Sequence, residues 1–498
     1  MKSSVVLLWP GSGLLVLSLA SCAVGPNYHP PAAPNVALTP EPLPAATVSA
    51  GGVAQHFTVQ GKIAGDWWQL YRSAQLDALI KQALANNPSL KAAQNTLLSA
   101  EETARSAQGG LLPTLSASAG IQRTKDSTSG KAAFGSDDGG GVPAYTLHTT
   151  SLSVTYPLDV FGGQRREIEN QVAQADYQRW QMEAATLTLT SNIVVAAVNE
   201  AALNAQIHAT KTVIADEQKL LDILQRQVQL GGAAPANALQ QQAALAQQEA
   251  SLPPLELQLA QAQNQLAAYV GQFPGTFHLQ SFTLDDLTLP QQIPVDLPSQ
   301  IVAQRPDIRA AAAQLHEATA SLGAADANML PQITLSANLG RSALSTSSLF
   351  TPQTLLWSLV ASATQPLFEG GSLLAQRKAA LYSMRAAADT YQSTVIAAFQ
   401  NVANALAALE YDAQTLADAQ AATTAAAQSL KVTQSQYQLG GQPFSAVLTA
   451  EVTYQNALIS EIKARAARLS DTAGLYQALG GGWWNRDDVA KPCCGVIP

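Results

Sequence analysis

Cysteine is nearly absent: 498 residues hold three, Cys22, Cys493 and Cys494, and no pair has the spacing of a zinc or redox motif. The six histidines are scattered, with no His-Glu-x-x-His helix, so the sequence excludes a protein-built metal site and leaves each histidine a surface or packing role. Charge is scarce as well. Asp, Glu, Lys and Arg make up 12 % of the chain, about half the ~25 % of ordinary soluble domains, and Gln, Asn, Ser and Thr carry the polar balance. A net charge of −8 and no Lys/Arg cluster exclude nucleic acid, which needs a basic face to release counterions. No phosphate-cradling Gly-x-x-x-x-Gly-Lys-Ser/Thr motif, Gly-x-Ser-x-Gly elbow or cluster of acids, bases and nucleophiles occurs, which speaks against an enzyme or a self-powered machine.

What is present begins at the N-terminus. Lys2 precedes an apolar run from Val5 to Leu19, the core of a signal peptide and too short for a comfortable membrane span. It ends in Leu19-Ala20-Ser21-Cys22, which looks like a bacterial lipobox. On that reading residues 1–21 are removed and Cys22 becomes a lipid-bearing N-terminus; an ordinary signal peptide with a chance cysteine is the alternative. Acyl chains hold a leaflet through about 0.8 kcal/mol per buried methylene. Residues 22–62 are rich in Pro, Ala, Gly and Val and read as an extended tether.

The remainder is duplicated, which halves the number of independent elements to explain. Asn87-Pro88-Ser89-Leu90 aligns with Arg305-Pro306-Asp307-Ile308, and Leu112-Pro113 with Leu330-Pro331, at an offset of 218 (306 minus 88). Further on, Gln229-Leu230-Gly231-Gly232 aligns with Gln438-Leu439-Gly440-Gly441 at an offset of 209 (440 minus 231). The shift falls between residues 121 and 150, a Gly-, Ser- and Asp-rich stretch suited to a surface loop that tolerates a length change. The repeats span 63–289 and 290–484, leaving a C-terminal tail at 485–498.

Each repeat changes periodicity in the same order. Helical spacing over 69–110 and 298–328 stops before Pro113 and Pro331, since proline ends a helix. Alternation follows: Ile333, Leu335, Ala337 and Leu339 interleave with Gln332, Thr334, Ser336 and Asn338, a strand apolar on one face. Similar alternation at 115–121, 151–156 and 355–364 gives four strands. These suit a membrane barrel with an aqueous lumen, although soluble hairpins packed on helices would share the pattern. Four strands cannot close a barrel, whereas three chains supplying four each leave no edge unpaired. Breaker-free helical runs over 164–230 and 372–439 follow, each roughly 100 Å at 1.5 Å per residue. Each reverses at Gly-Gly and returns through 235–270 or 443–479, with the shorter helices of each repeat extending the returning line. Pro253-Pro254 is expected to distort or break the first return helix.

Four motifs carry a family resemblance: Cys22 through Pro30, Trp67-Trp68 through Leu90, Arg305 through Arg309, and Leu475 through Trp483. In that order they span nearly the whole mature chain, which resembles the TolC-type outer-membrane factors, in the NodT-like lipoprotein branch serving resistance-nodulation-division efflux pumps. The resemblance implies a mainly α homotrimer with a shared twelve-stranded transmembrane β-barrel and a long periplasmic α-barrel. It implies outer-membrane lipid around the barrel, a periplasmic adaptor (membrane fusion) protein, and an inner-membrane efflux transporter that supplies the energy. It places adaptor docking at a periplasmic tip made by Leu230, Gly231, Gly232, Leu439, Gly440 and Gly441, and gives Tyr437 a part in holding the aperture shut. No cofactor is implied beyond the lipid on Cys22. Where the family type has aspartates after the second tip glycine, this chain has Ala446 and Thr449, so an acidic selectivity ring there is not supported. A type I secretion exit duct and a lipid-anchored periplasmic coiled-coil adaptor are the competing functions; the four alternating strands speak against the adaptor.

Overall fold

The computed structural model describes residues 23–34, 36–39, 42–59, 62–125, 144–295, 298–486 and 489. Residues 1–22, which include the expected signal segment and Cys22, residues 126–143 of the expected 121–150 loop, and Cys493-Cys494 lie outside the described residues.

The duplication is visible element by element. In the first repeat, helices α1 (Ala74–Asn86) and α2 (Pro88–Gly109) lead into strands that are β2 and β3 in chain order, Thr114–Thr124 and Tyr145–Leu158, after a short β1 at His56–Val59. Helices α3 (Gly163–Gln229) and α4 (Pro235–Val270) follow. The second repeat runs β4 (Gln292–Val295), α5 (Pro298–Gln304), α6 (Pro306–Ala327), β5 (Gln332–Ala343), β6 (Leu355–Thr364), α7 (Ser372–Gln438) and α8 (Phe444–Ala478). Helices α3 and α7 are 67 residues each, and α2 and α6 are 22 each. Equivalent helices of the two repeats cover the same stretch between the strands and the Gly-Gly turns, so their lengths agree while the loops differ.

The two proline motifs at offset 218 make equivalent joints. Asn87 caps α2 by accepting from Leu90 N at 3.0 Å, and its amide donates 2.8 Å to the Tyr269 carbonyl in the last turn of α4. Arg305 stands at the same place in the second repeat and donates to the carbonyl of Ala478, the last residue of α8. Proline at the first helical position needs no donor. Each joint therefore butts a return helix against a shorter one, and together they run alongside a single long helix. Toward the strands the neighbours run α2, α3, α6, α7; toward the Gly-Gly turns they run α4, α3, α8, α7. One stretch of α3 is long and apolar enough to cross a membrane, but 67 % of it is buried within the chain, and burial against neighbouring helices accounts for its character.

Two expectations need correction. Helix α4 is unbroken through Pro253 and Pro254. Both prolines face outward, as do Glu249 and Ala250, whose carbonyls lose their helical donors to the two rings, so water can replace what the rings cannot donate. The 22–62 segment is extended without being a free tether. Its β1 pairs in parallel with β4, His56 opposite Gln292, and Thr47, Ala50 and Gln55 are buried.

Three of the four sequence motifs meet in the main core. Trp67 stacks on Tyr476 with ring centroids 5.3 Å apart, Tyr71 donates 2.8 Å to the Leu469 carbonyl, and Trp483 donates to the Gln304 carbonyl. Gly482 lies in the left-handed region at φ 71°, and a Cβ there would sit 2.4 Å from the Ala64 carbonyl oxygen. Only glycine fits that turn.

Candidate conduit and docking tip

The four strands form one antiparallel sheet in the order β2-β3-β5-β6. The register sorts side chains by chemistry. Leu115 opposes Val154, Leu152 opposes Leu339, Leu339 opposes Trp357, and Ala337 opposes both Val154 and Leu359, so these apolar residues share one face. The other face carries Ser118 opposite Ser151, and Ser153 opposite Asn338, opposite Ser358. Hydroxyls Ser118 Oγ and Ser151 Oγ are 2.8 Å apart, and Asn338 Nδ2 donates 3.1 Å to Ser153 Oγ. Leu356 and Val360 interrupt the polar face in β6.

The apolar face is uncovered. Ile121 is 74 % exposed, and Trp357 and Leu359 are each 76 % exposed. A water-facing patch of this kind is rare on soluble chains, while lipid on one side and water on the other suit both faces. Strands β2 and β6 each have one neighbour in the sheet, leaving two long edges with free backbone groups, a liability unless another chain pairs them.

At the opposite end the two helical hairpins reverse by matched turns. Gly231 and Gly440 adopt φ 73° and 74°. Gly232 N donates 2.7 Å to the Gln227 carbonyl, and Gly441 N donates 2.8 Å to the Gln436 carbonyl. These left-handed caps satisfy the last helical carbonyls and push Leu230 and Leu439 outward, 86 % and 88 % exposed. Tyr437 is half-buried, its ring 5.4 Å from that of Phe444, so it packs within its own hairpin. Ala446 and Thr449 lie in the first turns of α8.

The residues following Cys22 bind the groove between α3 and α6 at the strand-proximal end. Val24 N donates 3.0 Å to the Phe161 carbonyl. Arg166, buried, donates to the Val24 and Gly25 carbonyls and 2.7 Å to Asn27 Oδ1. Tyr28 stacks on His316 at 4.4 Å, and Glu169 bridges Arg166 and His316, 2.7 Å from each. Burial acts to raise the Glu169 carboxyl, but hydrogen bonds from His316 and Arg166 outweigh it and hold it below the usual range. Among the described residues no group of three or more His, Cys, Asp or Glu side chains converges as a metal site. The buried acids Glu217 and Glu451, and Arg468 beneath the 46–55 segment, were not legible as special in the sequence, because single polar residues in polar helices carry no local signal.

A model of the outer membrane efflux protein family matches residues 79–272 and 297–481. Similar proteins include the pyoverdine export outer membrane protein OpmQ of Pseudomonas aeruginosa, 28 % identical over 421 residues, 84 % of this chain and 87 % of that one. A probable outer membrane lipoprotein, SilC of Salmonella typhimurium, is 25 % identical over 474 residues, 94 % of this chain and 97 % of that one. The solved structure of the outer-membrane channel OprN superposes with a TM-score of 0.83 at 23 % identity, covering 93 % of this chain and all of that one. With both repeats matched by the family and the fold shared along nearly its whole length, the chain belongs to the outer membrane efflux protein family.

Proposed function

We propose that three copies assemble so that β6 of each pairs with β2 of the next, closing a twelve-stranded barrel whose apolar face meets lipid and whose Ser/Thr/Asn face lines water. The carrying observation is the four-stranded sheet itself: two chemically distinct faces and two unpaired edges, fused to helices too long for a globule. Closure removes every edge, as a spanning sheet requires. The helices α2 and α7, and α4 and α7, are the flanks at which neighbours join to complete a periplasmic tunnel.

The duct is passive. Small toxic compounds or drugs enter from a periplasmic adaptor and inner-membrane transporter, which supplies the energy, and leave through the barrel. Exposed Leu230 and Leu439, held out by Gly231-Gly232 and Gly440-Gly441, are the adaptor contacts, and Tyr437 steadies the closed aperture through its packing on Phe444. Cys22 carries the lipid. The docked Val24–Tyr28 segment supports this, since it ends beside the base of the strands, where a lipid anchor would enter the membrane.

Purified full-length protein in planar bilayers, with Leu230→Asp and Leu439→Asp variants cross-linked to co-expressed adaptor in cells, tests the reading. Ion conductance together with loss of tip cross-links in the variants is expected. A chain that conducts nothing, with or without substitutions that open the tip, would be incompatible with a duct.

A further inference from the structure

The two hairpins, α3 with α4 and α7 with α8, meet along a seam between α3 and α8. Near the turns that seam is apolar: Leu224, Phe444 and Val447 form a buried cluster. On the same faces, farther from the tip, the chemistry changes. Glu217 lies two turns before Leu224 on α3, and Glu451 one turn after Val447 on α8. They are 5 % and 8 % exposed, and Gln241 of α4 is fully buried. Gln241 Nε2 donates 3.1 Å to the Glu217 backbone carbonyl, which ties α4 to the same spot.

The hydrogen-bond inventory there is unbalanced. Glu217 Oε2, Glu451 Oε2 and Gln241 Oε1 are buried acceptors without a donor, against one orphan donor, Gln248 Nε2. Buried polar atoms are almost always satisfied, so a site rich in orphan acceptors calls for protons or a cation. The charges acting most strongly on the pair are all acidic: Glu451 of α8 and Glu249 of α4 on Glu217, and Asp216 of α3 on Glu451. Asp216 is itself paired with Lys219 at 2.9 Å on the exposed side. Burial first, then these neighbours, push Glu217 up to about 7 and raise Glu451. With no metal cluster among the described residues, the proton is the fitting occupant.

We propose that Glu217 and Glu451 form a proton-operated latch across the α3–α8 seam, holding the two hairpins together at the periplasmic end while protonated and loosening them when the proton leaves. Any movement of one hairpin away from the other must part this seam. The latch rests on the reading of the tip as the inner mouth of the duct. The sign follows from linkage: a carboxyl raised in the closed state favours that state at low pH and releases a proton on opening. Opening therefore becomes easier as pH rises from the ordinary carboxylate range to about 7, and levels off above it.

Amide hydrogen exchange on the purified full-length protein, corrected for intrinsic chemical rates, reads the seam directly. Between pH 5 and 7 the opening equilibrium for the segments around 217 and 451 is expected to rise by up to about tenfold per pH unit. Glu217→Gln, which mimics the protonated acid, is expected to stay protected and lose most of that dependence; Glu451→Gln is expected to weaken it. Exchange in the wild type that ignores pH, or an unchanged slope in both variants, overturns the latch. Conductance separates the two readings. A protein that never conducts sinks the duct, whereas one that conducts with pH-independent exchange sinks the latch alone.

Discussion

Substituting arginine at adjacent positions of β6 should produce very unequal effects, because the strand alternates between an apolar face, proposed to meet lipid, and a polar one. Leu359 opposes Ala337 near the middle of the ten-residue strand, on the apolar face, and is 76 % exposed in the single chain. Ser358 opposes Asn338 on the polar face. An arginine facing lipid at the bilayer midplane costs about 2–4 kcal/mol in barrels of this type, a factor of roughly 30 to 1,000 in the folding equilibrium. One facing an aqueous lumen can keep its hydration. Leu359→Arg should therefore lower the urea midpoint for unfolding from lipid vesicles and reduce the yield of heat-modifiable oligomer, while Ser358→Arg should leave both nearly unchanged. Equal losses at the two positions, or a larger loss at Ser358, would refute the assignment of faces and with it the argument from register to membrane.

Other tests reach the remaining parts. Gly440→Val forces a β-branched residue into φ 74°, costing about 1–2 kcal/mol, and should fray the tip, detectable as faster proteolysis between α7 and α8. Arg468 is 2 % exposed and donates to Gln55, Ala50, Thr47 and Val53. Arg468→Ala should cost about 2–4 kcal/mol by stranding those acceptors and expose residues 46–59 to limited proteolysis. Glu169 is held below its usual range, so its contribution is full above the unfolded value of 4.5 and lost as pH falls through the lower folded value. Acidification through that lower value should accordingly free the segment after Cys22, read by proteolysis with Glu169→Gln as the pH-insensitive comparison. Mass spectrometry of the mature N-terminus should find acyl chains on Cys22 and none in Cys22→Ala.

The long helices were legible because nothing in them competes. Ala, Gln and Leu run without breakers from Gly163 to Gln229 and again from Ser372 to Gln438, each bracketed by glycines at positive φ, Gly162 and Gly231, Gly371 and Gly440. The strands were legible wherever one face is polar, and blurred in β6, where Leu355 and Leu356 are adjacent. The duplication located the joints at Pro88 and Pro306, although the bonds from Asn87 and Arg305 that make them could not be read. Local rules failed where tertiary context decides. Pro253 and Pro254 stay within an unbroken helix, on its exposed side, and β1 and β4, four residues each, are too short to show a period. Glu217 reads as one more polar residue on a polar helix, and only the packing of α4 and α8 around it reveals its burial. Trp67, Tyr476, Arg305 and Trp483 stood out as motifs, but the structure uses them to lock the core and the joints, away from the tip where partners would bind.

The claim on which the rest depends is that copies of this chain share one sheet. Native mass spectrometry of lipidated protein released from detergent micelles measures that directly. A single species of three mature chains, which falls to monomers when the exposed edges β2 and β6 are disrupted by proline, is the expected result. A protein that runs as a monomer with its hairpins folded and soluble in the absence of detergent would contradict it.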